Sequence, residues 1–329
     1  MKNNQNNKKG AFVISLDFEL LWGVIDKHGP KDYGQSNVKS VEIIIPRLMA
    51  MFEKYGVKAT VGYVGMMLYS GKNDLFRNMP KKMPSYKKIS LSPYRKGFIE
   101  SIQKEDASLY FAPELVEMLR RNPIIELGSH TFCHYYCDEI GQTKEEFEYD
   151  IEKAVAQAKE KGIELHSVIF PRNQVRDEYL AVCAKFGFKT YRGNPNHFFS
   201  RNRPAILNKI GRLVDAYFPL IKTTYPYEEI VEVGGMINVK ASRFFRPYSK
   251  RLSCLEWLKV RRIKQEVRWA AKHGEVYHLW WHPHNFGANM EKNLRQLESV
   301  LQTFKECKEK SGMEAYTMSG IASLITSKR

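Results

Sequence analysis

Residues 11–23 read AFVISLDFELLWG. The run is rich in Val, Ile, Phe and Leu, lacks proline, and acquires acids, Asp17 and Glu19, only toward its end. That pattern is a buried strand opening into a loop. Residues 38–56, VKSVEIIIPRLMAMFEKYG, then carry apolar side chains at helical spacing and stop at Gly56, a C-cap residue. Residues 57–65, VKATVGYVG, return to a strand pattern. A strand, a helix and a strand within about fifty residues form the signature of a parallel βαβ unit.

The alternation persists downstream. Helices are expected over 111–123 (Pro113 in the first turn), 144–162 and 176–187, with strands over 124–130, 165–173 and 188–194. Ser253 with Glu256 reads as a capping box for a basic helix reaching about residue 272, residues 276–287 as an apolar strand with a polar end, and 291–311 as a terminal helix. Two stretches break the rhythm. Residues 69–108 are polar, basic and proline-punctuated, a candidate lid or substrate loop, and residues 195–245 are irregular. Five or more βα units favour a parallel α/β barrel or a doubly wound sheet, and 329 residues can fill one barrel with excursions or two domains.

Composition excludes several classes. With 43% hydrophobic and 27% charged residues the chain is globular rather than disordered or fibrous. The polar, basic lead MKNNQNNKKG is followed by an apolar run too short for a signal peptide, and no window has the length of a membrane helix, which points to the cytoplasm. Five cysteines without paired CxxC spacing argue for reduced thiols. A net charge of +16 raises anionic partners: a membrane surface, a phosphate-bearing substrate or nucleic acid. No zinc-finger or RNA-recognition spacing accompanies the charge, which weighs against nucleic acid.

The residues able to do chemistry sit where apolar strands run out: Asp17, Glu19, His130, Arg172 and His282. In parallel α/β folds the strand C-termini gather on one face, where sites form. Asp17 and Glu19, two apart, would share one strand face, one free to bind a metal and the other to act as base. His130 and His134 in ELGSHTFCHYYC have the i, i+4 spacing that puts two imidazoles on one helical face. Two histidines with one carboxylate leave open coordination positions, the catalytic pattern for zinc. Cys133 and Cys137 share the same spacing, but four ligands from one eight-residue helical stretch cannot surround an ion, so they read as buried packing. Each short motif taken singly also has a bland reading as a solvated or capping feature.

Together VISLDFE, GSHTFCH, VIFPRNQ and HLWWHPH, in that order on alternating elements, resemble the NodB-like polysaccharide deacetylase family of metal-dependent carbohydrate esterases. The likeness runs from about residue 11 to 325, least securely at 69–108 and 195–245. It implies a distorted (β/α) barrel of seven or eight strands forming a single domain over 1–329, and removal of N-acetyl, or sometimes O-acetyl, groups from a saccharide by a divalent metal, most often zinc. By the same resemblance Asp17 matches the catalytic base, His130 and His134 the metal ligands, His282 the acid that protonates the leaving amine, and Arg172 the arginine that orients the base. The family usually has adjacent aspartates. Here Phe18 intervenes, which makes Glu19 the third ligand, with Asp17 as the alternative; Pro171 precedes Arg172 where the family places proline after. Such a site is chemically coherent, because a metal polarises an amide and acidifies water while a base and an acid handle the two proton transfers. Tyr191, Trp280 and Trp281 are candidates to stack on a sugar ring, and His284 is a substitute acid.

Two other readings remain open at this level. One is an amidase or deformylase on a small or lipid-linked amide, with the basic helix 253–272 lying peripherally on an anionic membrane rather than simply facing solvent. The other is a metal-free saccharide-binding protein, which the Phe18 departure permits.

Overall fold

The computed structural model describes residues 8–195, 211, 213–218 and 221–327, so part of the irregular 195–245 stretch lies outside the described residues. Strand β1 (Ala11–Phe18) is buried along its whole length, as a strand covered on both faces must be. It feeds α1 (Val41–Tyr55), closed by Gly56 in the left-handed conformation that glycine adopts without penalty, and then β2 (Ala59–Tyr63). Within the excursion lie only the short α2 (Lys72–Phe76) and 3₁₀ turns. Helix α3 (Pro113–Arg121) starts on its proline and leads to β3 (Ile125–Ser129). Helix α4 (Lys144–Glu160) carries a complete Thr143–Glu146 capping box. Next come β4 (Ser167–Val168), α5 (Asp177–Lys185), β5 (Thr190–Tyr191), β6 (Glu232–Val233), β7 (Met236–Asn238) and β8 (Arg243–Phe244). The chain ends with α6 (Glu256–His273), β9 (Val276–Trp281), α7 (Met290–Ser311), β10 (Glu314–Tyr316) and α8 (Met318–Thr326).

Eight strands form one parallel series, β7-β5-β4-β3-β2-β1-β9-β8, with β6 antiparallel on the β7 edge and β10 beside the start of β1. This is the distorted (β/α) barrel the sequence implied. Its ladder does not close: between β7 and β8 the chain crosses through residues 239–242, where Val239 and Ala241 donate to the carbonyls of Tyr191 and Gly193 and Ser242 donates to that of His278. Among the described residues no helix is long and apolar enough to cross a membrane.

Three local expectations differ. Helix α6 begins at Glu256 without a side-chain cap, because the Glu256 carboxylate is buried against Lys259, Tyr217 and Gln296 and is not free to reach back toward Ser253. The 69–108 excursion lines no part of the cleft among the described residues. Instead it packs outside, with Phe98 beside Trp22 and Tyr86 accepting the Tyr136 N–H. The helix over 291–311 is not terminal: after it β10 pairs Glu314–Tyr316 with Ala11–Val13, and Thr317 caps α8.

Candidate metal centre

The C-terminal ends of β1, β3, β4, β5 and β9 converge on one cleft. Its walls hold five non-glycine residues forced to positive φ: Leu20 (49°) after β1, Thr131 (63°) and His134 (60°) after β3, Arg172 (54°) and Asn173 (52°) after β4. Such conformations persist only where the surroundings over-determine them, and here they cluster at the candidate site.

His130 to His134 is therefore a turn and not the helical face expected from i, i+4 spacing. Two left-handed residues bend it, and side chains pin it. The buried Asp150 carboxylate of α4 accepts the N–H groups of Phe132 (2.8 Å) and Cys133 (3.0 Å), and Thr131 Oγ1 accepts that of Tyr135 (2.7 Å). Burial raises the Asp150 carboxyl to about 6 despite those donors. Cys133 and Cys137 face the interior, where burial pushes both thiols up and leaves them inert as ligands.

Glu19, just past β1, sends Oε2 between the two imidazoles, 3.2 Å from His130 Nε2 and 2.9 Å from His134 Nε2. His130 Nδ1 donates to the Ile169 carbonyl (2.8 Å), which fixes the tautomer and turns a lone pair on Nε2 toward Glu19. All three ligand atoms lie within 4.8 Å of one another. Burial opposes ionisation of Glu19, but His282, His134 and His130 outweigh it and hold its carboxyl well below the ordinary range. Burial likewise drives His134 down to about 4, so at neutral pH a buried carboxylate faces an uncharged imidazole. A buried anion among lone pairs is a donor set that a divalent cation fits.

Asp17, at the end of β1, is gripped from the other side. Arg192, wholly buried just beyond β5, makes a bidentate pair with it at 2.5 and 2.8 Å. The guanidinium also reaches Asn173 Oδ1 (2.8 Å) and Ser15 Oγ (3.2 Å) and lies 4.1 Å from the Trp280 ring centroid. Burial raises the Asp17 carboxyl, yet Arg192 wins and the net shift is downward. The sequence reading assigned this arginine contact to Arg172. The structure instead ties Arg172 to Asp26 (2.9 Å) and Glu139 (3.7 Å) over the Tyr136 ring, because its left-handed backbone turns the side chain toward the rim. Arg192 had been passed over inside a predicted strand, although it too stands where an apolar strand runs out.

His282 follows β9, its Nε2 3.6 Å from both Asp17 Oδ2 and Glu19 Oε1. Asn285 orients its ring: Tyr33 donates to Asn285 Oδ1 (3.0 Å), and Asn285 Nδ2 donates to His282 Nδ1 (3.2 Å), which leaves Nε2 facing the acids. His284 is buried with Nε2 3.8 Å from Glu19 Oε1. Trp280 and Phe244 line the cleft, whereas Trp281 and Tyr191 are buried in the core. The cleft encloses about 570 Å³, within the range of small-ligand sites.

No family profile and no curated protein matches the sequence. Solved structures do match. One named as a polysaccharide deacetylase from Mycobacterium smegmatis superposes with a TM-score of 0.62 at 12% identity, covering 99% of this chain and 93% of that one. Another named as a polysaccharide deacetylase, from Pseudomonas aeruginosa PAO1, gives 0.54 at 11% identity over 97% and 91%. The Puue allantoinase gives 0.56 at 9% identity over 99% and 93%. At these identities the shared property is the fold, which is that of the NodB-like deacetylases.

Proposed function

We propose that this protein is a metal-dependent hydrolase that removes N-acetyl groups from a saccharide. The observation that carries the reading is the joint geometry of Glu19, His130 and His134 with an arginine-clamped Asp17 and His282 Nε2 facing both acids on one cleft. Glu19, His130 and His134 would hold the ion, most simply zinc; bound there, a divalent cation supplies Lewis acidity toward an amide carbonyl and lowers the pKa of water. Asp17, kept anionic by Arg192, stands ready to accept a proton from the attacking water. His282 Nε2–H, oriented by Asn285, supplies a proton to the departing amine. Trp280 and Phe244 offer an apolar wall to a sugar ring.

A neighbour named as an allantoinase shows the same fold with a substrate other than a polysaccharide, so an amidase on a small amide is the second reading. Acetate release should be measured on N-acetylated saccharides with zinc-loaded protein. Asp17→Asn and His130→Ala should abolish it, and His282→Ala should lower kcat by about 10²–10⁴ while leaving metal content intact. Full activity in His130→Ala or after chelation would sink the proposal. Stoichiometric failure to take up zinc would favour a metal-free binding protein.

A further inference from the structure

The outer face of α6 is sorted by charge in a way the barrel does not require. The helix has two acids, Glu256 and Glu266, and both turn inward: Glu256 to Lys259 and Glu266 to Arg243 and Arg262. The exposed residues of α6 are Trp257, Arg261, Gln265, Arg268, Trp269, Lys272 and His273, with Lys264 half-buried beside them. At 100° per residue these fall within an arc of roughly 180°, in which Arg268, Arg261 and Lys272 lie between the two tryptophans. Trp257 is 57% exposed and Trp269 48%, where rings of that size are normally covered.

Opposite this arc α7 contributes Arg295, Gln296 and Ser299, closing a groove of about 510 Å³. Among the described residues, Arg268 of the four groove cations makes an ion pair, with Glu306 of α7 at 3.4 Å. Lys264 donates to Ser299, Arg295 to the Glu291 carbonyl, and Arg261 lies over the Trp257 ring. With both acids of α6 turned inward, the α6 wall of the groove is cationic, and carboxylates enter from the α7 side.

We propose that this face is a docking surface for an anionic lipid bilayer. Lys and Arg on long stems are drawn to anionic headgroups, and tryptophan settles at the headgroup level with its ring in the acyl boundary and its N–H in water. A soluble polyanion would be matched by the cations but gives no role to Trp257, 57% exposed beside them; Trp269 is already tied to Glu275 through its N–H and stacked on His273. Trp257 belongs to the first turn of α6, two residues before the inward-facing Lys259, whose ammonium donates to the Arg246 carbonyl, and Arg246 lines the cleft, so the Trp257 end of the helix is the end nearer the cleft.

The test is co-sedimentation of the full chain with phosphatidylcholine vesicles containing one-third phosphatidylglycerol, compared with pure phosphatidylcholine, at low and high salt. Binding should need the anionic lipid, fall with salt, and bring a blue shift of tryptophan emission that Trp257→Ala reduces. Arg261→Gln with Arg268→Gln should weaken partitioning roughly thirtyfold, with thermal unfolding unchanged as the check on folding. Equal pelleting with neutral vesicles, unchanged binding by the double variant, or tight binding of single-stranded DNA with no emission shift on vesicles would each overturn the proposal.

Discussion

Replacing Arg192 with methionine separates the clamp on Asp17 from everything else in the cleft. The wild-type pair is bidentate, with side chains 0% and 3% exposed. Removing one partner of such a pair strands a buried charge and costs about 3–5 kcal/mol. The pH dependence follows from the sign of the Asp17 shift. In the wild type its carboxyl lies below the ordinary 3.8, so its contribution to stability is present above that value and is lost as pH falls through the lowered pKa. Without Arg192 burial meets only the weaker pull of His282 and His130, and the carboxyl rises. The sign then reverses: Arg192→Met should be fully destabilised at neutral pH and recover toward about pH 4, where the protonated acid buries cheaply. Urea unfolding at both pH values measures the difference. Asp17→Asn in the same background should return part of the loss, giving a coupling energy of roughly 2 kcal/mol or more, whereas Asp17 and Arg172 should be additive within about 0.5 kcal/mol. Equal coupling for the two arginines, or no recovery on acidification, would refute the assignment.

Gly23 faces Glu19 so closely that a Cβ there would collide with the carboxyl group. Gly23→Ala should therefore leave the fold intact and weaken zinc binding about tenfold or more, read by competition with a chromogenic chelator. Asp150 makes a pH prediction of opposite sign to Asp17. Its folded pKa of about 6 lies above the model-compound 3.8, so the stability it contributes is full below 3.8 and lost as pH rises through 6, about 3 kcal/mol in all. Urea midpoints from pH 4 to 7.5 should show that slope in the wild type and lack it in Asp150→Asn.

The elements legible in the sequence were those whose signals are local. Gly56 and Pro113 announced their helix ends, and the apolar runs of β1, β3 and β9 announced strands whose ends carry the candidate site, whereas the Thr143–Glu146 box that starts α4 went unread. What stayed hidden depends on distant partners. Strands β6 and β8, inside the irregular 195–245 stretch, have two residues each, too few for any periodicity, and are held by neighbouring strands. The ion pair of Arg192 with Asp17 spans 175 positions of sequence, so nothing near either residue marks it. The histidine turn misled because i, i+4 spacing is shared by a helix and by a loop bent with left-handed residues. Even Ser129, a capping residue type just before His130, serves the loop: its hydroxyl accepts the Thr131 N–H (3.0 Å) with no helix following.

The pinning of that turn bears on how the proposed ion would be acquired. Asp150, Thr131, Tyr86 and the Ile169 carbonyl shape the two imidazoles through bonds that involve no metal. On the proposed function, the coordination cage would be finished during folding. An ion bound there would be stripped and exchanged for another without the chain unfolding, and cellular supply would decide which divalent metal it carries at least as much as the scaffold.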